Sequence, residues 1–134
     1  MIPSLLVFSD YGILALRLVL GAILVAHGLP KLRNIAAAAD MLRAMGFRPA
    51  RVWAAVAGAV EFFGGLLIIF GLFTQIAALL TAIEFLVVVF KKRSSGKLVG
   101  GYEFELLILV ASFLLATIGG GSVSLDDTFR ILLY

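Results

Sequence analysis

Four long apolar stretches recur along the chain, and shorter polar segments separate them. They cover approximately residues 11–29, 52–71, 75–90 and 104–118. A helix needs about 20 residues to cross about 30 Å of hydrocarbon, so each stretch is close to the length of a membrane span. The last two are short and would need local thinning of the bilayer or extension into the interface. The pattern predicts an all-α fold, a four-helix transmembrane bundle, with residues 1–134 forming a single domain.

The segment between the first two spans has its own helical periodicity. Its apolar residues recur on one face: Ile35, Ala38, Met41, Leu42 and Met45. Asp40 and Arg43 lie on other faces, and Gly46 followed by Pro49 ends the pattern. We therefore predict a short amphipathic interfacial helix between helices 1 and 2.

Local signals predict two helix starts. Only residues 72–74 separate the second and third spans, which indicates a tight antiparallel hairpin, and Thr74 is a suitable N-cap for the third helix. Near the end of the chain, residues 124–127 read Ser-Leu-Asp-Asp and resemble another helix cap. We expect residues 128–134 to add one last interfacial turn.

Composition supports the membrane interpretation and excludes several chemistries. Apolar residues make up 63% of the chain and charged residues 14%, against about 45–50% and about 25% in soluble domains. The net charge of +3 is modest, and the basic residues lie mostly beside the spans, so no nucleic-acid partner is expected. Without cysteine the chain has no thiolate chemistry or iron–sulfur ligands of its own, and we predict no metal site.

The basic residues predict the orientation. The first and third loops carry almost all of them: Lys31, Arg33, Arg43, Arg48 and Arg51, then Lys91, Lys92, Arg93 and Lys97. Because positive charge accumulates in cytoplasmic loops, both loops should be cytoplasmic and both termini should lie outside. Residues 1–10 contain no Lys or Arg, so we expect no cleaved signal peptide and a retained first span.

Each apolar span contains or adjoins an ionisable residue, although a charge in hydrocarbon costs about 2.5–3.5 kcal/mol on insertion scales. The candidates for ligand binding or proton transfer are Arg17, His27, Lys31, Glu61, Glu84 and Glu105. Glu103 lies nearer the interface and should be solvated. No residue pattern identifies a catalytic nucleophile.

Small residues accompany two of these charges. Arg17 shares a helical stripe with Gly21 and Gly28, while Glu61 shares a face with Gly58 and Gly65, as at closely packed helix interfaces. At 1.5 Å per residue, Arg17 lies about 9 Å and Glu61 about 15 Å below the outer surface, which allows an Arg17–Glu61 ion pair. Such a pair would either form part of a site or only neutralise two charges and set the helix register.

Several segments, in order, resemble the DoxX family. They are His27-Gly28-Leu29-Pro30-Lys31 after an arginine in span one, Glu61-Phe62-Phe63-Gly64-Gly65 with Gly71-Leu72-Phe73-Thr74, Tyr102-Glu103-Phe104-Glu105, and the stretch from Gly119 to Asp126. The resemblance implies a four-helix protein of the bacterial inner membrane. Some relatives are named as subunits of a thiosulfate:quinone oxidoreductase, and others are linked to oxidoreductase assemblies in oxidative stress.

With this resemblance, we interpret the chain as a membrane subunit of an oxidoreductase system that holds a quinone or small ligand among its helices. Arg17 and Glu61 would form the outer and middle part of the pocket. His27, Lys31 and Glu105 would form its cytoplasmic end and pass protons. Partner subunits are expected, and so is a homodimer, because four helices are few to enclose a site. A small-molecule transporter and a non-catalytic membrane anchor remain open alternatives.

Overall fold

The chain forms a bundle of helices in a computed structural model, which describes residues 3–94 and 96–131. The helices are α1 (Pro3–Leu6), α2 (Ser9–Arg33), α3 (Ile35–Ala44), α4 (Ala50–Phe70), α5 (Thr74–Arg93), α6 (Glu103–Ile118) and α7 (Leu125–Phe129). An irregular turn over Leu98–Tyr102 leads into α6. The described residues contain no strand, which confirms the predicted all-α fold.

Four segments are long and apolar enough to cross a membrane: α2, α4, α5 and the stretch Leu98–Ile118. They coincide with the four predicted spans, but two of the helices are longer than predicted. Helix α2 continues through Pro30 to Arg33, and α5 continues to Arg93 instead of stopping near Phe90. Both extensions carry Lys and Arg in the last turn, where cations interact favourably with the negative end of the helix dipole.

The bundle has two distinct ends. One, which we call the terminal end, holds the start of α2, the α4–α5 turn and residues 119–131. The other, the loop end, holds residues 45–49 and the α5–α6 connection. Asp10 accepts a hydrogen bond from the backbone N–H of Ser122 at 3.2 Å, so the two terminal segments of the chain meet.

Helices α2 and α4 pack closely because glycines face each other. A Cβ atom at Gly21 would lie 2.6 Å from the carbonyl oxygen of Gly65, and one at Gly28 would lie 2.8 Å from that of Gly58. Both distances are shorter than a side chain tolerates, so only glycine permits this separation. The predicted small-residue interface is therefore present, and it brings the polar residues of the two helices together.

The predicted short helix between the first two spans is α3. Asn34 caps it, its side-chain oxygen accepting from the N–H of Ala37 at 3.1 Å. It packs against the start of α4 through a small cluster: Ala38, Ala39, Leu42, Ala50 and Ala54. Met41, which we expected on the apolar face, is 52% exposed, because the face turned towards α4 is formed by Ala38, Ala39 and Leu42.

Helices α5 and α6 complete the bundle. An apolar cluster lies between the four long helices, and its buried members are Leu20, Leu24, Ile68, Ala77, Ala78, Phe85, Ile108 and Leu115. At the terminal end, Gly71 (φ +66°) and Phe73 (φ +49°) adopt left-handed conformations that reverse the chain between α4 and α5. This hairpin confirms the predicted tight connection and sets α5 antiparallel to α4.

Candidate functional site

Lys31 and Glu61 form an ion pair inside the bundle. The Lys31 Nζ lies 2.6 Å from Glu61 Oε1, and the side chains are 20% and 3% exposed, respectively. The glycine at position 58 lets the start of the Lys31 side chain approach α4 closely, since a Cβ atom there would lie 3.2 Å from Lys31 Cβ. The lysine stem therefore runs along α4 where a side chain is missing, and its ammonium reaches the carboxylate about one turn further along.

Glu84 of α5 joins this pair. A Cβ atom at Gly64 would lie 3.6 Å from Thr81 Oγ1, so these two positions face each other across the α4–α5 interface. Glu61 lies three residues before Gly64 on α4, and Glu84 lies three residues after Thr81 on α5. Because the two helices are antiparallel, both shifts run in the same direction along the bundle, and Glu61 and Glu84 lie at the same level. Accordingly, the Glu84 carboxyl interacts electrostatically with both Glu61 and Lys31. We call these three residues the carboxylate–lysine site.

The site has unused hydrogen-bonding capacity. Glu61 Oε2 and Glu84 Oε2 are buried, and neither accepts a hydrogen bond from a donor group of the described residues. The two carboxyl groups are close enough to share a hydrogen bond with each other, which requires a proton on one of them. Buried polar atoms are normally partnered, and an orphan costs about 1–3 kcal/mol. Two ionised carboxylates against one ammonium would also leave one negative charge in excess. A proton, a cation or a ligand with hydrogen-bond donors would satisfy both deficits.

Arg17 occupies a different place, at the terminal end. It is 2% exposed and donates four hydrogen bonds, all to backbone carbonyls. Nε donates to Ile68 at 2.9 Å and Nη2 to Ile69 at 2.9 Å, while Nη1 donates to Gly120 and Val123. The carbonyls of Ile68 and Ile69 belong to the last turn of α4, where carbonyl oxygens have no partner within the helix. A positive charge there interacts favourably with the negative end of the helix dipole.

The Arg17–Glu61 ion pair that the sequence allows does not form among the described residues. The carbonyls at the end of α4 engage the guanidinium of Arg17, and Glu61 takes Lys31 as its partner instead. The depths expected from the sequence placed Arg17 and Glu61 within reach of each other. They could not show that the chain after α6 folds back and supplies two more carbonyl acceptors to Arg17. With four of its five donors used, Arg17 has little capacity left for a ligand.

Asp126 is a buried charge that the sequence analysis did not select. Its carboxylate accepts from the N–H of Phe73 at 2.6 Å and from that of Thr74 at 2.8 Å, so it caps the start of α5. The predicted N-cap role of Thr74 is wrong, because Thr74 is already the first helical residue and its hydroxyl has no partner among the described residues. Arg17 and Asp126 thus stabilise the two sides of the α4–α5 turn.

The cap predicted at residues 124–127 is confirmed. The hydroxyl oxygen of Ser124 accepts from the N–H of Asp127 at 3.2 Å and begins α7, which is how Asp126 is placed against the turn. The helix covers Leu125–Phe129, earlier than the expected turn over residues 128–134. Residues 132–134 lie outside the described part of the chain.

The remaining candidates have separate partners. Glu105 pairs with Lys92 near the loop end. His27 is exposed, its Nδ1 lies 2.8 Å from the carbonyl oxygen of Ile23, and its ring centroid lies 5.5 Å from that of Phe104. Glu103 is exposed, as expected. The structure thus brings together Lys31, Glu61 and Glu84, and it gives Arg17, His27 and Glu105 other contacts.

An apolar groove of about 360 Å³ runs along the outside of α4. It is lined by Phe63, Leu66, Leu67, Phe70, Leu72 and Leu125. At about 100° per residue, its α4 residues lie roughly 140–240° around the helix axis from Glu61. The groove is therefore on the opposite face of α4 from the carboxylate–lysine site and does not extend that site.

Comparison with known proteins agrees with this architecture. The DoxX family model matches residues 12–92, more than half of the chain. A protein of Bacillus subtilis (strain 168) named "Putative oxidoreductase CatD" is 31% identical over 117 residues, which cover 87% of this chain and 86% of that protein. No solved structure matches significantly. The extent of both matches shows that the chain is a multi-pass membrane protein of the DoxX family.

Proposed function

We propose that the chain is the membrane subunit of an oxidoreductase system and that the carboxylate–lysine site binds the head group of a quinone or another small ligand. The observation that carries this proposal is the pair of buried oxygens, Glu61 Oε2 and Glu84 Oε2, that accept no hydrogen bond from a donor group of the described residues and lie beside the Lys31 ammonium. The name of the similar Bacillus protein, "Putative oxidoreductase CatD", supports an oxidoreductase context.

The donors and acceptors of the site fit a quinone head group. An ammonium has three N–H donors, and Lys31 uses one of them on Glu61, which leaves donors for a quinone carbonyl oxygen. The two free carboxylate oxygens would accept from the O–H groups of the reduced form. A bound quinone supplies reversible two-electron, two-proton chemistry, and the chain's own contribution would be to orient the head group and exchange protons at Glu61 and Glu84.

The electrons would come from partner subunits. The chain has no cysteine and a single histidine, so its own side chains offer few ligands for a redox centre. We therefore propose that the protein works with other oxidoreductase subunits, and that a second copy of this chain packs beside it to enclose the site. The proposed assembly therefore contains other oxidoreductase subunits as well as two copies of this chain.

We also propose that the loop end faces the cytoplasm in the bacterial inner membrane and that the termini lie on the periplasmic side. The support is the concentration of Lys and Arg at the loop end, while Arg130 is the only one in residues 119–131. Within the carboxylate–lysine site, Lys31 would then lie on the cytoplasmic side of Glu61 and Glu84.

A direct binding measurement tests the ligand. Short-chain benzoquinone and naphthoquinone would be titrated into the purified protein in mild detergent, with binding followed by isothermal calorimetry. We expect saturable binding that Glu61→Gln and Glu84→Gln each weaken at least tenfold, because one strong acceptor is replaced in each. Glu103→Gln is the matched control, an exposed glutamate outside the site. Equal binding by all four proteins would contradict the proposal.

A further inference from the structure

Several basic side chains at the loop end have no acidic partner among the described residues. Arg43 pairs with Asp40, Lys92 with Glu105 and Lys31 with Glu61. In the described part of the chain, the other cations of this end form no ion pair: Arg33, Arg48, Arg51, Lys91, Arg93 and Lys97. Their positive charge is therefore available to a partner outside the chain.

Three of these cations belong to adjoining elements. The Nζ of Lys91, at the end of α5, lies 5.4 Å from the ring centroid of Phe47, a cation–π contact that joins the first and third loops. Arg48 follows Phe47 directly, and Arg51 lies in the first turn of α4. Trp53 links the same segment, its indole N–H donating to the carbonyl oxygen of Arg48 at 3.4 Å. We call Arg48, Arg51 and Lys91 the basic corner.

Phe47 fixes the basic corner to the fold. It is half-buried and packs on the apolar cluster between α3 and α4. Lys91 is thus held by an aromatic ring rather than by a carboxylate, and its charge is not neutralised. The backbone of the corner is thus fixed by Phe47 and Trp53, and the Lys91 side chain by Phe47, while the side chains of Arg48 and Arg51 are exposed.

Exposed apolar residues lie within one to two turns of the basic corner on both helices that carry it. On α4 they include Val52 and Val56, and on α5 they include Val87 and Phe90. An occupant that matches both surfaces needs an anionic group at the level of the helix ends and apolar chains along the helices. A soluble acidic protein would satisfy the first requirement only.

We propose that the basic corner is a binding site for an anionic phospholipid, with the phosphate group against Arg48, Arg51 and Lys91 and the acyl chains along α4 and α5. Cations beside a span interact with anionic head groups by about 1 kcal/mol each, which corresponds to about a fivefold change in affinity. This inference is independent of the proposed ligand at the carboxylate–lysine site.

Native mass spectrometry of the full chain in mild detergent tests the site. Phosphatidylglycerol and phosphatidylcholine with identical acyl chains would be titrated separately, and the bound fraction measured. The triple variant Arg48→Gln/Arg51→Gln/Lys91→Gln should bind phosphatidylglycerol about a hundredfold more weakly, and each single variant about fivefold more weakly. Binding of phosphatidylcholine should not change.

A second triple variant, Arg33→Gln/Arg43→Gln/Arg130→Gln, controls for net charge, since it removes three cations elsewhere. We expect it to retain most phosphatidylglycerol binding. An equal loss in both triple variants would overturn the proposal, because it would show an effect of overall charge. Wild-type binding of the two lipids with the same affinity would overturn it as well. So would full lipid binding by the first triple variant, a result that would favour a protein partner at this surface.

Discussion

The contact between α2 and α4 gives the sharpest test of the packing, because α2 contains two glycines in opposite situations. A Cβ atom at Gly21 would lie 2.6 Å from the carbonyl oxygen of Gly65 and 2.5 Å from Ile69 Cγ1. A Cβ atom at Gly12 would have nothing within 4 Å. Gly21→Ala and Gly12→Ala are therefore the same substitution in the same helix, with and without a neighbour to displace.

The magnitude follows from these distances. Ordinary contact begins at 3.4 Å, so Gly21→Ala would push α2 and α4 apart by about 0.8 Å, the difference between 3.4 and 2.6 Å. Overpacking of this kind costs about 1–3 kcal/mol. Both substitutions gain about 0.5–1 kcal/mol from the higher helix propensity of alanine. That gain cancels in the comparison, so Gly21→Ala should be less stable than Gly12→Ala by about 1–3 kcal/mol.

The assay is reversible unfolding of the purified protein from mild detergent into sodium dodecyl sulfate. Far-UV circular dichroism and the fluorescence of Trp53 on α4 would both be followed. Wild type, Gly12→Ala and Gly21→Ala would be measured at the same detergent composition. Equal free energies of unfolding for the two variants would refute the close approach of α2 and α4 and, with it, the placement of Lys31 against Glu61.

Three further predictions use the same unfolding assay. Arg17→Lys keeps the charge but has at most three donors for four carbonyls, so it should lower the free energy of unfolding by about 1.5–3 kcal/mol, the contribution of one charged hydrogen bond. A variant as stable as wild type would contradict the capping role. Asp126→Asn keeps an acceptor but loses the charge at the start of α5; we expect a loss of about 1–2 kcal/mol, and a gain would argue against the cap. Lys31→Met leaves the buried Glu61 carboxylate without its ammonium partner and should lower the free energy of unfolding by about 3–5 kcal/mol. The double variant Lys31→Met/Glu61→Gln should recover a large part of that loss, and a double variant that loses the sum of the two single losses would contradict the ion pair.

Hydrophobic periodicity was sufficient to predict the helices, because apolar runs of this length leave few alternatives to a membrane-spanning bundle. The glycine stripes also predicted the α2–α4 interface, since small residues beside a charge indicate close packing. The helix ends were less predictable. Lys91 to Arg93 extend α5 rather than ending it, because cations stabilise the last turn.

The partners of the buried charges depend on tertiary contacts that the sequence pattern does not contain. Arg17 was correctly selected as unusual, but its acceptors are backbone carbonyls, which every residue has and no motif reveals. Asp126 looked like part of a local cap, and its contact with the N–H groups of Phe73 and Thr74 spans more than 50 positions of sequence. Glu84 was selected without a partner, and the α4–α5 register supplied one.

The most direct test of the central proposal is to identify the small molecules that co-purify with the protein. Wild type, Glu61→Gln and the control Glu103→Gln would be purified in mild detergent, and their bound molecules extracted and identified by mass spectrometry. The account predicts a quinone or another small ligand in wild type and Glu103→Gln that is lost or strongly reduced in Glu61→Gln. A stable wild type that carries no ligand, or the same ligand at the same occupancy in all three proteins, would contradict a binding site at Lys31, Glu61 and Glu84.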